Sequence, residues 1–139
     1  MYLKMRGDIM KSARLSDTLK GPPEAWTDLK RTRRAPHLQG RLRFYPWSRG
    51  ALIKSEFVNL PEPARYRLQI HPSEGKGSMF HHMPSFYPEN GYAFFLFYSD
   101  QIRPDELSGQ KVELVIVNPD SEKGECISFG IIQNKKSQQ

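Results

Sequence analysis

Four histidines stand in this chain: His37, His71 and the adjacent pair His81 and His82. A neighbouring His pair on a loop can bind copper, nickel or zinc, because imidazole suits all three metals. The competing reading is four surface or hydrogen-bonded imidazoles. The other reactive side chains are sparser. No serine sits in a nucleophile-elbow motif, so triad chemistry is not expected. Cys126 has no base beside it in sequence and, on a strand, reads as a small buried apolar residue. Gly75-Lys76-Gly77 lacks the spacing and the following helix of a phosphate loop. Lys30, Arg31, Arg33 and Arg34 form a basic cluster that could attract nucleic acid, anionic lipid or an acidic partner. It has no interleaved aromatics and matches no binding motif, so a solvated arm is the favoured reading and nucleic acid is not the expected partner.

Short strands must position these residues. Residues 39–45 alternate, with Leu42 and Phe44 separated by Arg41, Arg43 and Tyr45. Trp47-Ser48-Arg49-Gly50 reads as a hairpin turn. Residues 51–59 alternate again, Ala51, Ile53, Ser55 and Phe57 against Leu52, Lys54, Glu56 and Val58. This period of two marks half-buried strands. A third strand is expected over 65–71, an aromatic one over 91–99, and others over 111–117 and 126–132. Residues 81–90 read as irregular, held by Pro84 and Pro88, and 104–107 as one helical turn. Strands joined by Gly, Pro and Asn turns argue for an antiparallel sandwich or barrel, one face of each sheet buried and the other wet.

Length and charge set outer bounds. The 139 residues suit one domain. Eight Phe, six Tyr and two Trp can fill its core. The net charge is +6, and residues 1–34 hold most of the excess, nine Lys and Arg against four Asp and Glu. No apolar run approaches the roughly 18 residues of a membrane span. Charges at Lys4, Arg6, Asp8, Lys11 and Arg14 interrupt any signal-peptide core, so a cytoplasmic location is expected. A single cysteine excludes an intrachain disulfide and fits a reducing compartment.

Residues 79–102 read Met-Phe-His-His-Met-Pro-Ser-Phe-Tyr-Pro-Glu-Asn-Gly-Tyr-Ala-Phe-Phe-Leu-Phe-Tyr-Ser-Asp-Gln-Ile. The block resembles the stretch of bacterial copper/zinc superoxide dismutases that runs from the last zinc ligands, through a Pro-rich turn and an Asn-Gly pair, into an aromatic strand. Leu38-Gln39-Gly40-Arg41-Leu42-Arg43-Phe44 is similar to the family's first strand. Residues 50–61 resemble its next strand pair, and Gly130-Ile131-Ile132 its closing strand. The resemblance covers about two-thirds of the chain, with gaps, from His37 to Ile132.

That resemblance implies a metal site whose ligands are mostly replaced. Met79 and His82 stand where a zinc-binding His and Asp would be. The His-x-His of the copper site reads Gln69-Ile70-His71, and residues two apart on a strand share a side. The last copper His aligns with Val115, and a long ligand-bearing loop is shortened to nine residues between His71 and His81. The positions of a substrate-guiding Arg and a disulfide Cys read Cys126 and Phe129. One surviving ligand cannot cycle copper, so no dismutase activity is expected.

The expectation is therefore an all-β Greek-key antiparallel β-sandwich or flattened barrel. A basic extension over residues 1–36 precedes the sandwich at 37–133, and a polar tail follows at 134–139. The leading function is a non-catalytic binding or structural role, with no cofactor. The alternatives are residual copper or zinc on His71, His81 and His82, with Glu74 as a further donor, or an anion-binding arm. The aromatic strand has one face for the core (Ala93, Phe95, Phe97) and one in need of a cover (Tyr92, Phe94, Leu96, Tyr98). Trp26 and Leu29 of the arm, or a second copy in a homodimer, are the expected covers.

Overall fold

The hairpin at the centre of the molecule follows the alternation of its sequence. In the computed structural model, which describes residues 2–4, 19–72 and 81–138, β3 (Gln39–Trp47) and β4 (Gly50–Val58) pair antiparallel from Gln39↔Val58 to Trp47↔Gly50. Ser48 takes a positive φ of 52° in the turn between them. Gly50 is required there, since a Cβ would overlap the Ser99 carbonyl of the strand alongside. Leu42, Phe44, Ile53 and Phe57 are fully buried on the inner side of the hairpin.

Two sheets enclose one core. The six-stranded sheet has the order β1-β7-β4-β3-β2-β10, with β1 (Tyr2–Lys4), β7 (Ala93–Ser99), β2 (Ala25–Asp28) and β10 (Gln133–Asn134). The four-stranded sheet has the order β6-β5-β8-β9, with β6 (His81–His82), β5 (Tyr66–His71), β8 (Lys111–Val117) and β9 (Gly124–Ile131). All pairings are antiparallel except the short parallel β1–β7 pair. The chain crosses to the second sheet after β4, returns with β7 beside β4, crosses again to β8 beside β5, and comes back with β10. A short 3-10 turn, Pro104–Glu106, lies on the second crossing. Leu68, Ile70, Leu114 and Ile127 from one sheet meet Phe44, Ile53, Phe57 and Phe95 from the other in one apolar cluster. Apolar area removed from water in this way is the main stabilising term, about 25 cal/mol per Å².

Local turn chemistry fixes the return to β7. Asn90 and Gly91 have φ of 53° and 78°, and Glu89 pairs with Tyr92 across them. Two successive residues with positive φ suit Asn-Gly and tighten the chain ahead of the aromatic strand. Tyr66, buried in the core, donates its hydroxyl to the Glu62 carbonyl at 2.8 Å. Burial raises its pKa above the usual tyrosine value.

The sandwich reaches beyond residues 37–133. β2, within the stretch expected to be an extension, is an interior strand of the six-stranded sheet between β3 and β10. Leu29 and Ala35 are buried in the core, and Leu29 rests against Gly40, where a Cβ would approach its Cδ1 to 2.9 Å. Asn134, expected in the tail, pairs with Ala25 and is buried. The cover of the aromatic strand also differs from expectation. Leu29 lies on the core side, and Trp26 sits on β2, three strands from β7. Tyr45, Leu52 and Leu96 form a second cluster on the outer side of the sheet, with Leu19, Trp47 and Tyr98 against it. Residues 81–82, expected to be irregular, form β6. No described helix is long and apolar enough to cross a membrane.

Candidate functional site

The outer side of the four-stranded sheet collects the polar residues that alternate with the core. On β5, Tyr66, Leu68 and Ile70 are buried while Arg67, Gln69 and His71 are half-buried. On β8, Val112 and Leu114 are buried while Lys111 and Glu113 are half-buried. Pairing of β5 with β8 sets Gln69 opposite Glu113 and His71 opposite Lys111. β6 adds its backbone on the other side of β5, His82 opposite Gln69 and His81 opposite Ile70. The surface therefore brings together His71, the strand that carries His81 and His82, and Glu113.

Glu113 organises this surface. Its Oε1 forms an ion pair with His71 Nε2, the His side chain 29% and the Glu side chain 19% exposed. Its carboxylate also acts on the Cys126 thiol, which donates to the Ser128 carbonyl. Cys126 is exposed as a residue, with its sulfur set back against Glu113 and 3.4 Å from the Ser128 carbonyl. Burial of the sulfur, and then the Glu113 carboxylate, push the thiol pKa up to about 11. A thiol held protonated at neutral pH is a weak nucleophile and a poor metal ligand. Beside this group, the Gln69 amide oxygen, turned toward Arg67, accepts from Nε at 3.0 Å and Nη2 at 2.7 Å.

The positions of the expected ligands are now explicit. Val115 is buried and sits at an irregularity between Leu114 and Val115, opposite Arg67 and Cys126. The β8 residue facing His71 is Glu113, two positions earlier. Met79 and Glu74 lie outside the described residues. Among the described residues no group of three or more His, Cys, Asp or Glu side chains is arranged to hold a metal ion. Cys126, expected to be buried, is exposed. Glu113 was not singled out in the sequence, though the alternation of Lys111 and Glu113 with Val112 and Leu114 marks it as an outward residue.

The basic cluster lies along β9. Lys30 N donates to the Phe129 carbonyl at 2.9 Å, Thr32 Oγ1 donates to the Ile127 carbonyl at 2.5 Å, and the Ser128 hydroxyl donates to the Lys30 carbonyl. Arg34 is paired with Glu125 at 2.9 Å and Glu62 at 3.2 Å, and these hydrogen bonds raise its pKa further. Lys30 Nζ lies 4.8 Å from the centre of the Phe129 ring. Arg31 and Arg33 are exposed. Neither a protein-family model nor a curated protein sequence matches the chain.

Proposed function

We propose that this protein is a non-catalytic member of the copper/zinc superoxide dismutase-like sandwiches, with a binding or structural role. The observation that carries the reading is the self-pairing of the polar face. Arg67 lies against Gln69 and Glu113 against His71, while Val115 offers no donor, and this pairing supports the reading. The raised pKa of the Cys126 thiol makes it a less ready ligand. The scaffold half of the proposal is supported by the strand order, with β7 beside β4 in one sheet and β8 beside β5 in the other, which we read as a Greek-key path.

Metal analysis of the purified chain, copper and zinc titration, and a superoxide dismutation assay test this reading. The expected results are no stoichiometric copper or zinc and no dismutation above background. Stoichiometric copper binding that disappears in His71→Ala would overturn it.

One observation favours a second reading, a metal-binding protein using His71, His81 and His82. The pairing of β6 with β5 brings the two His-bearing strands side by side. The same titration, repeated on His82→Ala, decides between the two. The anion-binding arm has less support, since Arg34 is engaged by two carboxylates and the backbone of Lys30 by β9. The homodimer is kept as part of the proposal on the half-buried aromatic Tyr98 of the outer face. Sedimentation showing only monomer at micromolar concentration removes it.

A further inference from the structure

A cleft of about 810 Å³ opens beside β7, on the sheet opposite to the His71 face. That volume falls within the roughly 300–1,000 Å³ of small-ligand sites. Its walls are aromatic. Phe86 stacks on Phe57 with ring centres 5.1 Å apart and lies 5.0 Å from Phe95, which ties that wall to the core. Phe94 is half-buried. Tyr87 is 73% and Tyr92 44% exposed, and among the described residues Ile131 alone joins them as an exposed large apolar side chain. Two of the three such groups therefore stand in one cleft.

The charge of the lining is as uneven as its shape. Among the described residues, Glu56 and Glu89 are the carboxylates that line it and no Lys, Arg or His does, although the chain carries +6. Elsewhere the chain's own lysines lie over ring faces, Lys30 over Phe129 and Lys54 over Tyr45. Here the rings have carboxylates beside them and no described cation. The Tyr92 hydroxyl donates to Glu56 Oε2 at 3.0 Å, which holds a carboxylate next to a ring edge. Glu89 and Tyr92 are paired across the Asn90-Gly91 turn, and Pro84 and Pro88 restrict the segment before it. The arrangement is set before any ligand arrives.

Aromatic ring faces attract positive charge, most strongly where the ligand cation sheds little water. A neighbouring carboxylate adds attraction and repels anions. We propose that this cleft binds a small organic cation of the quaternary or alkylammonium class. The charged head sits among Tyr87, Tyr92 and Glu56, and the apolar remainder lies along Phe94. The site is separate from the His71 face and does not depend on the family reading.

Choline and its uncharged carbon analogue 3,3-dimethylbutan-1-ol have nearly the same shape, so the pair isolates the contribution of charge. Titration of the full chain with each, followed by calorimetry and by NMR of the tyrosine rings, should show saturable choline binding about tenfold tighter than that of the alcohol. Tyr87→Ala should weaken choline binding about tenfold, and Glu56→Gln by a smaller factor. Tyr87 is so exposed that its loss leaves the fold intact, which an unchanged melting temperature verifies. The proposal is overturned by absence of saturable choline binding, by equal affinity for the alcohol, or by unchanged affinity in both variants.

Discussion

The two outward regions of this sandwich handle polar and aromatic groups in opposite ways. On the four-stranded sheet, Arg67 meets Gln69 and Glu113 meets both His71 and Cys126. Beside β7, Tyr87 and Tyr92 are exposed and Glu89 faces solvent. A surface whose charges are matched internally gives an incoming ion little to gain. A concave surface with exposed rings and, among the described residues, one sign of charge retains that capacity. Charge pairing, rather than the number of histidines, separates the two surfaces.

The widest test of this contrast removes the frame that holds the two regions apart. Gly130 of β9 approaches β2, and a Cβ there would overlap Thr27 Oγ1 and lie 2.8 Å from the Asp28 carbonyl oxygen. Gly130→Ala should therefore lose about 3 kcal/mol in urea denaturation, and a variant of wild-type stability would show that the corner yields. Glu113→Ala comes next, with a loss of about 1 to 2 kcal/mol as His71 and Cys126 lose their common partner. The same variant should lower the thiol pKa and speed maleimide labelling of Cys126, since the thiolate is the reactive form.

The pH dependence of Cys126 follows from the direction of its shift. A thiol whose folded pKa is raised from 9.0 to about 11 contributes stability that is fully present below pH 9 and lost as pH rises through 11. Melting temperatures across that window should fall more steeply for the parent chain than for Cys126→Ser. The smallest expected effect lies between the sheets. Ser55 is fully buried and its hydroxyl has no hydrogen-bond partner among the described residues. Ser55→Ala should leave stability unchanged or raise it by about 1 kcal/mol, measured by thermal unfolding.

What the sequence disclosed follows the range of the forces involved. β3, β4, β5 and β8 were legible because alternation is a local signal, and so was the turn at Ser48. β2 was not, since four residues between Pro23 and Lys30 show no clear period and are held by pairing with β3 and β10. Leu29 is a core residue because Gly40 leaves room for it, a fact about two distant positions. The candidate site divides in the same way. His71 and the His81-His82 pair stood out by type. Glu113 became visible only through the register of β5 against β8, and the irregularity at Val115 defeats counting along the strand. The aromatic cleft needed the 84–92 segment to be folded back beside β7.

The lacing of residues 30–34 along β9 has a consequence for where this chain can be cut. Lys30, Thr32 and Ser128 join that segment to the outer edge of the four-stranded sheet, and β2 closes the side of β3. A truncated chain beginning at His37 would keep the strands of the histidine face but lose β1 from beside β7. It would also present unprotected strand edges at β3 and β7 on one sheet and at β9 on the other. Exposed edges of this kind recruit strands from other molecules. The basic segment thus serves the molecule as selvage, the bound margin that keeps the fabric of each sheet from joining the next.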